Sequence, residues 1–309
     1  MKILFSTIAL DAQPFISLIY AELRKLPKEI EWEWAVMEGT ALPMHCTKWC
    51  AQQEPRLSRD GTTQYLESLM AFDRRVKCAA NVAWDGKIAM VNAPLLGVQR
   101  GSFLSDKKPL ADNDMEAWCL GQNRPPTNRE MMSGQFQTTI KDEFLLWQID
   151  SDEIWTAEQI VDCFLMFEDN PKKNAAFFWC RYFVGPDKVI TTRNCFGNDP
   201  RADWRRVWKI KPGMLFKTHE PPVIYKLKLN HFTQDETAAK GLVFDHFAYA
   251  TRAQVEFKEK YYAGQRNPNA KHYRGLLARW EKFQTETVWP RSLNQMFPWA
   301  GQDCMVNRI

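Results

Sequence analysis

The chain has 309 residues, 45% of them hydrophobic and 25% charged, with a formal net charge of +4. That is the composition of a globular α/β-sized protein with ample core, and the small charge permits phosphate binding without demanding a nucleic-acid partner. No uncharged run is long enough for a membrane helix, so no membrane span is expected.

Residues 2–10 are apolar, but Asp11 and Gln13 cut the run short and no small-residue cleavage site follows. The stretch reads as a buried first strand rather than a secretory signal, so a cytoplasmic protein, or one peripheral on a cytosolic membrane face, is expected. The 8 cysteines are scattered, and Cys163, Cys180 and Cys195 sit in apolar surroundings, as buried reduced thiols do.

Residues 15–26 have amphipathic helical spacing closed by Pro27, and 31–37 alternates through Trp32, Trp34 and Val36 into a strand ending at Glu38-Gly39. A polar loop over 40–58 precedes Arg59-Asp60-Gly61-Thr62-Thr63 and a helix over 64–73. A short strand is expected at 76–83, and Gly86-Lys87 opens a helix that runs to 96. Strand alternating with helix predicts an α/β fold, a doubly wound and mostly parallel sheet.

Residues 97–141 break the rhythm. They are polar, contain Pro109, Pro125 and Pro126, and show little periodicity, the mark of a functional or mobile loop. The apolar run 144–149 then reads as a strand buried on both faces, followed at once by Asp150-Ser151-Asp152-Glu153. Three carboxylates so close repel one another and cannot be core. A hard divalent cation would resolve the conflict, and so would an acidic helix start in which Ser151 or Asp152 caps a helix over 156–167.

Two β-like runs, 175–184 and 188–195, flank Gly185-Pro186-Asp187 as a hairpin would, and 207–210 and 214–218 flank Lys211-Pro212-Gly213 in the same way. Helical periodicity returns at 250–262 and 270–283, and the Pro- and Trp-containing tail 288–309 is expected to wrap the surface.

Several motifs in order resemble those of a family-2-like glycosyltransferase of the GT-A fold. They are the second strand ending in Glu38, the turn Ser58-Arg59-Asp60-Gly61-Thr62, Gly86-Lys87 with Asn92, and Asp150-Ser151-Asp152-Glu153. Arg206-Val207-Trp208-Lys209 leading to His219-Glu220, and Asp245-His246-Phe247-Ala248-Tyr249 with Lys258, resemble segments of one bacterial branch. The resemblance implies a GT-A domain over 1–250, a helical C-terminal extension over 251–309, and insertions that shape an acceptor site.

It also implies transfer of a sugar, with inversion, from a nucleotide-sugar, a UDP-sugar by family habit. Asp150, Asp152 and His246 would be the metal ligands for Mn²⁺ or Mg²⁺, with Asp150 also able to meet the ribose. Thr7, Glu38, Asp60, Lys87 and His219 would contact the nucleotide or its phosphates. An attacking hydroxyl must lose a proton, so a carboxylate base is needed, and Glu220 is the first candidate, Asp203 the second and Glu153 the third.

Each residue also has a plainer reading. Asp60 could cap the helix after it, His246 could be a structural histidine between Phe244 and Phe247, and Glu220 could be an exposed turn residue. The acceptor is open among a sugar, a glycan, a protein and a modified nucleobase. From 251 onward there are 10 Lys and Arg against 5 Asp and Glu, which suits phosphates or a solvated helix face equally. The rival functions are a metal-dependent nuclease or phosphotransferase and a non-catalytic sugar-nucleotide-binding module.

Overall fold

The computed structural model describes residues 1–42, 56–81, 84–96, 142–192, 204–211, 213–219, 222–263, 270–298, 300 and 304–309. The insertion at 97–141 and the two first-ranked base candidates, Glu220 and Asp203, lie outside the described residues.

β1 (Ile3–Ala9) sends Ile3 and Phe5 into one core and Leu4 into another. β2 (Trp32–Glu38) divides Trp34 and Val36 from Ala35 and Met37 in the same way, and β6 (Phe144–Gln148) divides Leu145 and Trp147 from Leu146. Side chains that alternate between two cores require a sheet covered on both faces. One face is covered by α1 (Phe15–Leu23), α2 (Thr62–Phe72) and α4 (Ala157–Asp169), through Ile16, Ile19, Leu66, Ile160 and Phe167. The other is covered by α3 (Gly86–Asn92) and the hairpin of β12 (Phe216–His219) with β13 (Pro222–Ile224).

Among the described residues the central sheet has the order β14 (His231–Phe232), β8 (Ala175–Phe177), β11 (Arg205–Ile210), β6, β1, β2, β4 (Val76–Ala80). β4, β2, β1 and β6 are parallel, whereas β11 runs antiparallel to β6 and β8. The chain steps outward from β1 to β2 and β4, then returns to lay β6 on the opposite side of β1. Strand order therefore reverses between β1 and β6, and open α/β sheets bind ligands beyond the carboxyl ends at such a reversal.

A second sheet has the order β16 (Arg291–Ser292), β17 (Met305–Arg308), β10 (Lys188–Ile190), β9 (Trp179–Gly185), β15 (Val243–His246), β7 (Glu153–Ile154). Here the structure corrects three expectations. The run 175–184 is two strands in two sheets, broken at Phe178, whose N–H donates to the Trp204 carbonyl. The segment around Lys211 and Gly213 is no hairpin: β11 is spent on β6 and β8, and β12 pairs with β13 instead. The tail does not merely wrap the surface, because Leu293, Met296, Phe297 and Val306 are fully buried and β17 pairs with β10.

After the short α5 (Gln234–Ala238), the C-terminal part carries α6 (Arg252–Ala263), α7 (Ala270–Tyr273) and α8 (Leu276–Thr285) as well as β16 and β17. Gly275, at φ +69°, separates α7 from α8. Trp280 Nε1 pins α8 to the second sheet by donating to the Val184 and Tyr249 carbonyls at 3.0 and 2.9 Å. Cys163 and Cys180 are buried and outside any disulfide, as expected, and so is Cys78; Cys195 lies outside the described residues, and Cys304 is disulfide-bonded, which departs from uniformly reduced thiols. Among the described residues no helix is long and apolar enough to cross a membrane.

Candidate active site

The acidic stretch sits where the chain leaves one sheet for the other. Ile149 still follows β1, its N–H donating to the Ser6 carbonyl at 3.0 Å, and a turn closes from Glu153 N–H to the Asp150 carbonyl at 2.9 Å. β7 then pairs antiparallel with β15, placing Glu153 opposite His246, and Phe247 N–H donates to the Asp152 carbonyl at 2.8 Å. Pairing of two short strands thus joins segments far apart in sequence. Neither Ser151 nor Asp152 caps a helix: Thr156 caps α4, in a reciprocal capping box with Gln159.

Beyond the ends of β1 and β2 lies a cavity of about 440 Å³. Its floor includes Ala9, Leu10, Gly39 and Thr40, and its polar wall Lys87, Asp150, Asp152, Arg206, His219, His246 and Lys258. Tyr182, Trp204, Tyr249, Phe257 and Tyr262 supply an aromatic wall. Gly39, at φ +122°, is needed at the floor, since a Cβ there would collide with the Asn81 carbonyl oxygen.

Arg206, on β11, is 4% exposed and bridges two carboxylates. Its Nε donates to both Glu153 oxygens at 3.0 Å, and its Nη2 donates to Asp150 Oδ2 at 2.8 Å. Burial pushes the Asp150 carboxyl up, but the charges of Arg206 and His219 outweigh it and hold the group below its ordinary range. Glu153 is fully buried, and burial pushes its carboxyl up to about 7 even against the Arg206 guanidinium. Sealed from the cavity and held by Arg206, Glu153 is not placed to take a proton from a substrate, which removes the third base candidate.

Asp152 faces a different pair. Lys258 Nζ, from α6, donates to its Oδ2 at 3.2 Å, and His246 Nε2 stands 3.4 Å from its Oδ1. Burial raises the Asp152 carboxyl, and the Lys258 and His246 charges more than reverse this, leaving it well below the usual carboxylate range. The His246 ring packs edge-on to Tyr182 and Trp204 at 5.0 and 4.8 Å, and its Nδ1 has no hydrogen-bond partner among the described residues.

The remaining expected contacts divide. His219 ends β12 with Nε2 3.2 Å from the Gln148 amide nitrogen, which also donates to Asp150 Oδ1 at 3.2 Å. His219 and Lys87 line the cavity together with Asp150, Asp152 and His246. Thr7 does not: it is fully buried within β1, where its hydroxyl accepts from Trp34 Nε1 at 3.0 Å. Glu38 is fully buried too, its Oε1 accepting from Ser58 N–H at 2.6 Å and from the Thr63 hydroxyl at 3.2 Å.

Asp60 accepts from Gln13 N–H at 2.8 Å and from Thr62 N–H at 3.0 Å. The Ser58 and Thr62 hydroxyls accept from the N–H groups of Asp11 and Ala12 at 2.9 and 3.0 Å. The Ser58–Thr62 turn is therefore a clasp on the loop that leaves β1.

In the sequence, Arg206 and Lys258 stand out only as parts of motifs, without a task. The signal for Arg206 was an arginine entering the apolar run Val207-Trp208, since a cation buried there requires an anionic partner.

Among the described residues no group of three or more His, Cys, Asp or Glu side chains stands together as a metal cage. The donor chemistry nevertheless suits Mn²⁺ or Mg²⁺: carboxylate oxygens from Asp150 and Asp152 and one imidazole on a single cavity wall.

No protein-family profile matches the chain, and no curated protein matches it. Among solved structures it is similar to S. aureus TarS 1-349, with a TM-score of 0.35 and 9% identity, over 97% of this chain and 73% of that one. The complex of TarS 1-349 with UDP gives a TM-score of 0.33 and 11% identity, over 93% and 67% of the two chains. The complex with UDP-GlcNAc gives 0.34 and 10%, over 97% and 74%. Likeness at that level carries no inference about activity.

Proposed function

We propose that the chain is a glycosyltransferase that moves a sugar from a nucleotide-sugar, a UDP-sugar by the motif resemblance, to an acceptor hydroxyl with inversion. The observation that carries this reading is the β7–β15 pairing. It brings the acidic stretch and His246 onto one wall of a cavity at the strand-order reversal, beside Arg206, Lys258 and His219. Acid alone would suit many folds, but acid, imidazole and cationic side chains at that point suit a diphosphate.

The acceptor oxygen forms a bond to the anomeric carbon as the bond to the diphosphate oxygen breaks. The electron pair leaves with the diphosphate, and the hydroxyl proton passes to a carboxylate. Glu220 is our choice for that base, with Asp203 the alternative. Asp150, Asp152 and His246 would hold Mn²⁺ or Mg²⁺, which when bound supplies Lewis-acid stabilisation of the leaving diphosphate.

Lys87 and His219 face the same charge from the cavity wall. Arg206 keeps Asp150 ionised and oriented. Glu38 and Asp60 serve the nucleoside end by fixing the loop that borders it, and Thr7 backs them from within β1.

Thermal-shift screening of nucleoside diphosphates and nucleotide-sugars, with and without Mn²⁺, tests this reading. One nucleotide should raise the melting temperature, and more so with metal. Glu220→Gln should then lower transfer by about 10²–10⁴-fold while leaving that shift intact. No shift with any nucleotide would move the nuclease or binding-module reading ahead, and near-normal turnover in the variant would remove Glu220 as the base.

A further inference from the structure

Both oxygens of Asp152 are already engaged. Oδ1 faces His246 Nε2 at 3.4 Å, and Oδ2 accepts from Lys258 Nζ at 3.2 Å. The two partners differ in what they can do when a cation arrives. An imidazole nitrogen can itself become a ligand, so His246 can share Asp152 with a metal ion. An ammonium has three donors and no lone pair, so Lys258 cannot ligate and can only compete.

Lys258 is also well placed to keep its position. Its Nζ donates to the Ala248 carbonyl at 2.6 Å and lies 4.8 Å from the Tyr249 ring centre, and its side chain is 19% exposed, as little as that of Asp152 at 18%.

We propose that Lys258 is a tethered competitor of the divalent cation at Asp152. The ammonium holds the carboxylate when no metal is bound, and its charge beside Oδ2 opposes the arrival of a cation until it gives way. This rests on the assignment of Asp152 as a metal ligand, which it deepens: the C-terminal extension, through α6, sets how tightly the site takes its metal. The ammonium costs the site affinity for free metal, and in return no bare, poorly hydrated carboxylate is left in the cavity.

The test is direct Mn²⁺ binding, read by the loss of the free-ion electron paramagnetic resonance signal, on the full chain without nucleotide. Wild type, Lys258→Met, Lys258→Gln and Lys258→Arg are compared, each checked for an unchanged unfolding transition. Removing a partly buried ion-pair partner should tighten Mn²⁺ binding about tenfold in K258M and K258Q, and K258R, which keeps the charge, should stay near wild type. Equal affinity in wild type, K258M and K258Q would overturn the competition and leave the metal reading standing. Absence of Mn²⁺ binding in all four proteins would overturn both.

Discussion

Two groups of carboxylates stand at the strand ends, and they are held by opposite means. Behind β1 and β2, Asp11, Glu38 and Asp60 accept from the main-chain N–H groups of Arg59, Ser58, Gln13 and Thr62, and Asp11 also pairs with Arg56. Beyond β6, Asp150, Asp152 and Glu153 are matched by the side chains of Arg206, Lys258 and His246. Main-chain donors are fixed by the fold, so the first group is cement. Side-chain cations can change partners, so on the proposed reading the second group would exchange a lysine for a metal ion or share an arginine with a ligand.

The largest expected effect that sharpens this contrast is at the buried pair. Arg206→Met leaves Glu153 without its counter-charge and should destabilise the protein by about 3–5 kcal/mol in denaturant unfolding at pH 8. A loss below about 1 kcal/mol would mean that Arg206 is no structural counter-ion.

The next effect separates the second group by pH. Glu153 is raised from 4.5 to about 7, so the stability it contributes is full below pH 4.5 and is lost as pH climbs through 7. That slope is worth up to about 3 kcal/mol, and Glu153→Gln should flatten it. Asp150 and Asp152 are depressed, so their contribution is present above pH 3.8 and is lost at lower pH, outside that window. An unchanged slope in the variant would remove Glu153 as its origin.

A smaller effect is expected in the first group. Glu38→Ala leaves the buried Ser58 N–H without an acceptor and should cost about 1–3 kcal/mol with little dependence on metal. Destabilisation that appeared only when Mn²⁺ is present would blur the distinction between cement and exchangeable charge.

Much of the central sheet was legible because its strands carry local signals. The run ending in Ile149 followed at once by charge located β6 and the turn, and the alternation of Trp32, Trp34 and Val36 located β2. What brings the site together was not. β7 spans only Glu153–Ile154, and nothing in its spacing says that it will pair with the strand ending at His246.

Lys211-Pro212-Gly213 had turn chemistry, but turn chemistry does not choose the partner strand, and β11 found better neighbours in β6 and β8. The tail looked like wrapping because its prolines mask short apolar segments, although Leu293, Phe297 and Val306 are core. Motif resemblance named Asp60 and Glu38 as ligand contacts, and their hydrogen bonds reveal the structural task that the same residues carry.

On the proposed reading, the wall carrying Asp152 and His246 receives a nucleotide's diphosphate together with a metal ion. Calorimetric titration of UDP into wild type and Asp152→Asn, each with and without Mn²⁺, tests it most directly. Mn²⁺ is expected to strengthen UDP binding about tenfold or more in wild type and to leave binding by D152N unchanged. The same Mn²⁺-dependent gain in both proteins would contradict it.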